Sequence, residues 1–151
     1  MRGLLVVDEK NDLAAPAAEV VERVREHVSE ARRQQHPIAW LRHHDELGEK
    51  ADWLRSLGVT EILIVGFYAH ALVSSVARDA LFRGFAVSVD PDAIAGRAIE
   101  HPTLGSQTAD DVRLSALLHL TSLGVTIATL PEKAIYLDWL DGRRQERART
   151  W

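Results

Sequence analysis

The chain has 151 residues, a formal charge of −4, 46% hydrophobic and 26% charged residues, the balance of one globular domain with one sizeable core. So mild a charge excludes nucleic acid or an acidic membrane surface as the main partner. With no cysteine, disulfides, thiolate metal sites and a cysteine nucleophile are excluded together. A reducing cytosol is the expected setting. No apolar run approaches the roughly 20 residues of a membrane span, and "MRGLLVVDEKND" turns acidic too early for a signal peptide.

"GLLVV" (3–7), short, apolar and β-branched, predicts a first buried strand. Residues 16–34 predict an amphipathic helix, with Val20, Val21, Val24 and Val28 on one face and Pro16 in the first turn. "PIAWL" (37–41) predicts the second strand, and 49–58 a short helix ended by Gly58. "EILIVG" (61–66) predicts the third strand, 69–84 a helix closed by Gly84, and "FAVSV" (85–89) the fourth strand. Within 105–124 a helix is expected with Thr108 as N-cap and Gly124 as its end, followed by "VTIAT" (125–129) as the fifth strand.

Strand and helix alternate, and the strands are continuous apolar runs. This predicts a three-layer α/β/α doubly wound domain: a parallel sheet covered on both faces. Residues 1–130 form that domain in this reading. The tail, 131–151, has an apolar helical stretch through Ile135, Leu137, Trp139 and Leu140 and a basic end. No internal repeat stands out.

Ligands of open parallel sheets bind beyond the carboxyl ends of the strands. The residues there are Asp8, Lys10, Asn11 and Asp12 after the first strand, and Arg42, His43, His44 and Asp45 after the second. Phe67, Tyr68 and His70 follow the third strand, and Asp90 and Asp92 the fourth. Each has a structural alternative: an aspartate caps a loop or helix, a histidine at a helix start bonds a carbonyl, and paired histidines form a solvated loop. Adjacent histidines without a spaced third ligand are a weak zinc signal, so no metal is expected. No glycine-rich phosphate loop follows the first strand, and no cofactor is expected.

"LLVVDEKND" resembles the "LLVIDMQND" opening of the isochorismatase-like hydrolase family. "IVGFYAHALVSSVARDALFRGFAVSVDPDAIA" (64–95) resembles its central strand–helix–strand segment, and "GFYAH" is close to the "GVYAH" of true isochorismatases. "WLRHHDE" and "LLHLTSLGVTIAT" fit the second strand's end and the last helix and strand, so the resemblance spans about residues 3–129. It implies that Asp8 is the catalytic acid or base and that Tyr68 and His70 surround the pocket. It also implies that the helix N-terminus after the third strand can hold a carbonyl or carboxylate oxygen.

The departures matter equally. The cysteine of thiolate-using members falls at Leu72, and their usual threonine at Ala69, so thiolate amide hydrolysis is excluded. About thirty family residues between the second strand and the next helix, which carry the catalytic lysine, are missing. Lys50 falls inside a predicted helix and does not inherit that role. The deletion implies the sheet order 2-1-3-4-5 and a more open site.

The likeness to true isochorismatases, which manage without the cysteine, implies acid catalysis on an enol ether instead. Protonating the terminal CH2 of an enolpyruvyl ether gives an oxocarbenium ion; water adds, and the hemiketal collapses to pyruvate and the released alcohol, a dihydrodiol in the case of isochorismate. The acid must hold its proton near neutral pH, and burial is what raises a carboxyl group from its ordinary value near ~4. The leading expectation is therefore an isochorismatase-like hydrolase acting on an enol ether or related small carboxylate, in secondary metabolism. Asp8 and His70 would be catalytic. Tyr68, Phe67 and Leu72 would form the wall, and Arg42 or His43 would meet the substrate carboxylate. Two alternatives stand beside it: a non-catalytic ligand- or protein-binding module on the same fold, and a different Asp/His acid–base reaction such as isomerisation or cyclisation. The family commonly forms dimers, which leaves a homodimer open.

Overall fold

The computed structural model describes residues 1–9, 17–42 and 45–128. The predicted tail helix and the boundary at residue 130 lie outside the described residues, as do Lys10, Asn11, Asp12, His43 and His44. The elements run β1 (Arg2–Asp8), α1 (Ala18–Arg33), β2 (Ile38–Arg42), α2 (Gly48–Ser56) and β3 (Glu61–Phe67). A π-helical turn (Ala69–Val73) then leads into α3 (Ser74–Phe82), followed by β4 (Ala86–Ala95), β5 (Ile99–His101), β6 (Gly105–Gln107), α4 (Ala109–Ser122) and β7 (Thr126–Ile127). No helix among the described residues is long and apolar enough to cross a membrane.

Five strands form one parallel sheet in the order β2-β1-β3-β4-β7. With β7 as the fifth predicted strand, this is the expected 2-1-3-4-5 arrangement. Side chains of β1 alternate between two cores. Leu5 and Val7 pack with Leu54 of α2, Val73, Ala77 of α3 and Leu120 of α4. Leu4 and Val6 pack with Val28 and Ala31 of α1. Each fully buried Leu or Val contributes about 1.5–3 kcal/mol. A one-residue slip would exchange the two faces, but the change of strand face alters every contact at once.

Two departures from the predicted elements have clear causes. The edge strand β2 is covered on one face only: Ala39 and Leu41 are buried, while Trp40 and Arg42 are exposed. The second departure is the length of β4, which continues past Val89 to Ala95. Pro91 argues against a continuing strand because it cannot donate to a ladder. Here the β3–β4 register shifts between Ile64↔Val89 and Gly66↔Ile94, so Pro91 sits in an irregularity where no ladder bond is required. Ahead of the last helix, residues 105–107 pair with 99–101 as a hairpin. The helix α4 then begins behind Thr108, whose side chain accepts the N–H of Asp111 at 3.1 Å, the expected cap.

Candidate active site at the carboxyl edge of the sheet

Asp8 ends β1, half-buried, with Arg42 of β2 and Phe67 of β3 as its neighbours in register. One residue earlier the strands approach unusually closely. Gly66 has φ +122°, and a Cβ there would lie 1.9 Å from the Val7 carbonyl oxygen. Only glycine permits this approach, and it carries β3 directly into the corner. The Phe67–Tyr68 peptide is cis. Tyr68 is buried and meets the Phe67 ring edge-on at 5.3 Å.

Beyond Tyr68 the chain does not begin a regular α-helix. Ala71 leaves helical geometry (φ −106°, ψ −113°) inside the π-helical turn. The N–H groups of Ala71 and Val73 turn back to the Tyr68 carbonyl at 3.1 and 3.3 Å. Those of Tyr68 and Leu72 are taken by one oxygen of Glu9, which accepts them at 3.3 and 3.1 Å. The reason is local. The Glu9 N–H donates to the Phe67 carbonyl at 3.3 Å, extending β1 by one residue. Side chains on a strand alternate, so Glu9 continues the face of Val7, which packs against the α3 side of the sheet.

The residue that follows the true end of β4 is not Asp90 but Gly96, then Arg97. A Cβ on Gly96 would lie 2.0 Å from the Ala109 carbonyl oxygen, so β4 passes directly against the start of α4. Arg97 is half-buried, its guanidinium carbon 5.3 Å from the Tyr68 ring centroid, within the range of a cation–π contact. Among the described residues its buried Nε has no hydrogen-bond partner.

His70 is half-buried, and its buried Nδ1 likewise has no hydrogen-bond partner among the described residues. Burial first, then the positive charge of Arg97, pushes the imidazole below its ordinary value of 6.5, against the opposing pull of Glu9. His70 therefore shares an electrostatic neighbourhood with both residues. It also helps line a cavity of about 190 Å³ with Ser74, Arg78, Val112, Ser115 and His119.

The structure thus gathers Phe67, Tyr68 and Leu72 around Glu9, with Asp8 beside Phe67 and His70 one step along. Arg42 is on the other side of Asp8 by register; it is exposed, and its backbone N–H donates to Asp45 at 2.9 Å. His43 lies outside the described residues. Lys50 is held by Asp45 at 2.9 Å and by the Trp40 carbonyl.

Asp90 is buried on the α1 side instead, where Oδ2 accepts from Arg23 Nε at 2.9 Å and lies 2.7 Å from His27 Nε2. Burial raises its carboxyl, but the bonds to His27 and Arg23 together outweigh this and leave it below the usual carboxylate range. Asp92 lines a separate cavity of about 880 Å³ between α1, the end of β4 and the start of α4. Neither Asp8, Tyr68 nor His70 lines it.

Glu9 and Arg97 are the residues that sequence reasoning missed. For Glu9 the alternation from Val7 was an available signal. For Arg97 the signal was hidden by the misplaced end of β4.

An open parallel sheet with this strand order, and a chemical corner where β1 and β3 end, defines a doubly wound α/β protein with its site at the carboxyl edge. The family model of the isochorismatase domain matches residues 48–112. An isochorismatase from Pseudomonas putida superposes with a TM-score of 0.72 at 19% identity, over 84% of this chain and 87% of that one. A cysteine hydrolase from Pseudomonas syringae gives 0.73 at 15% identity, over 85% and 88%. A pyrazinamidase of Pyrococcus horikoshii, solved in complex with zinc, gives 0.64 at 18% identity, over 85% and 99%. No curated protein matches in sequence. Residues 48–112 thus match the isochorismatase domain, and the chain shares the fold of these solved structures.

Proposed function

We propose that the chain is a cysteine-independent hydrolase that uses Asp8 as a general acid on an enol ether borne by a small carboxylate. The observation that carries this reading is the Glu9 carboxylate on the N–H groups of Tyr68 and Leu72. Acyl transfer needs a nucleophile and free donors for the developing oxyanion. Here leucine stands at the nucleophile's place, and the donors are already engaged. Protonation of an enol-ether carbon needs neither.

Asp8 is the carboxyl group at the end of β1, beside that corner. Arg97 supports recognition of a carboxylate, since its buried Nε has no partner among the described residues and guanidinium pairs well with carboxylates. Tyr68 and Phe67 supply an aromatic wall. Arg42 can approach from the β2 side, because its side chain is exposed next to Asp8 in register. His70 is a wall residue with a second role open to it, its imidazole being held toward the neutral form. The isomerase or cyclase reading carries less support, since His70 also belongs to the α3–α4 cavity.

A second reading is favoured by the same observation. A corner filled from within and leucine at the nucleophile's place suit a binding module without turnover. Pyruvate release from isochorismate, comparing wild type with Asp8→Asn, separates the two. Release by wild type alone supports the acid-catalysed hydrolase. Release by neither, with both folded, supports the binding module.

A further inference from the structure

Two backbone N–H groups that converge on one point make a receptor for an oxygen anion. In this chain the oxygen belongs to the protein. Glu9 Oε2 receives Tyr68 N–H at 3.3 Å and Leu72 N–H at 3.1 Å. The backbone of Glu9 is fixed by its own bond to the Phe67 carbonyl, so the carboxylate is delivered by a strand extension rather than a free loop end. We propose that Glu9 is a specificity-determining residue: its carboxylate occupies the Tyr68–Leu72 N–H pair from within and bars carbonyl and carboxylate oxygens of ligands from that corner.

This deepens the reading of the same site and rests on it for where a ligand enters. The chemistry is direct. A ligand carboxylate that sought these donors would first have to displace Glu9. It would then lie against another negative group with no donors left to share. Ligand anions are left to cations elsewhere on the edge, of which Arg97 is the one beside Tyr68.

The test uses acetate, which reproduces the end of the Glu9 side chain. In Glu9→Ala, acetate should shift the backbone amide signals of Tyr68 and Leu72 saturably, with chloride as the ionic-strength control. Wild type and Glu9→Gln, in which an oxygen still fills the corner, should show no such shift at the same concentrations. Equal shifts in wild type, or none in folded Glu9→Ala, would overturn the proposal. Should Glu9→Ala not fold, hydrogen exchange decides. The Leu72 amide should exchange about tenfold faster in Glu9→Gln than in wild type, because a neutral oxygen is the weaker acceptor. Unchanged exchange would overturn it. None of these readings depends on turnover, so a negative pyruvate assay leaves the assignment of Glu9 standing, and the role of Asp8 is decided by the pyruvate assay itself.

Discussion

Glu9 and Leu72 are 63 residues apart in the chain, yet the carboxylate of one accepts the backbone N–H of the other at 3.1 Å. The contact exists because β1 and β3 are parallel neighbours with Asp8 level with Phe67. It is the observation from which the proposed function is argued.

The first consequence concerns Asp8. As the general acid it should account for about 10²–10⁴-fold of the rate. Asp8→Asn should therefore lower pyruvate release by at least about 100-fold, with a melting temperature near that of wild type. A coupled lactate dehydrogenase assay measures the first and calorimetry the second. Turnover equal to wild type would remove Asp8 from the mechanism.

Arg97 should act on binding more than on the chemical step. Arg97→Ala is expected to raise KM for a carboxylate substrate by about tenfold or more, the loss of a charge-assisted hydrogen bond. Arg97→Lys should recover only part of this, since a lysine cannot reproduce the guanidinium stack on Tyr68. A change confined to kcat would assign Arg97 a different role.

The titration of His70 offers a test by sign. Its value lies below 6.5 because of burial and Arg97, with Glu9 opposing. Arg97→Ala should move it up, and Glu9→Ala should move it further down. Because the folded value is depressed, the stability linked to His70 is complete above its ordinary value. That stability is lost as pH falls through the folded value. Proton NMR titration of the imidazole resonances would read both shifts.

Asp90 binds α1 to β4 through Arg23 and His27. Asp90→Asn leaves the largely buried Arg23 guanidinium with only the exposed Glu26 as counter-charge and should cost about 1–3 kcal/mol. Since the folded carboxyl is depressed, its contribution is complete above the unfolded value near ~4 and is lost as pH falls through the folded one. Urea unfolding at pH 7 and at pH 3 should show the variant and wild type converging at the acid end.

Gly66 and Gly58 both have positive φ, yet only one is enclosed. At Gly66 a Cβ would strike the Val7 carbonyl, while at Gly58 nothing lies within 4 Å. Gly66→Ala should cost about 3 kcal/mol or more. Gly58→Ala should cost only the backbone preference, about 1 kcal/mol. Denaturant midpoints of the two variants would be separated accordingly; equal midpoints would argue against the close approach of β3 to β1.

Hydrophobic patterning alone determined the parallel sheet, its alternation with helices and the edge at which chemistry collects. Runs such as "GLLVV" and "EILIVG" have one low-energy setting, buried between helices, and Thr108 has the chemistry of a cap wherever its helix lies. The resemblance carried by "LLVVDEKND" and "GFYAH" added Asp8, Tyr68 and the strand order. Tertiary structure decided what those patterns could not contain. Pro91 suggests a stop, but a register shift against β3 absorbs it, and only then does Arg97 become an edge residue beside Tyr68. Arg23 and His27 read as part of a polar helix face until Asp90 is placed beneath them. Glu9 is one more charged residue after a strand until Tyr68 and Leu72, far along the chain, present their N–H groups to it. Local sequence fixes a residue's preferences; its partner across the sheet is fixed by register, which is a property of two strands at once.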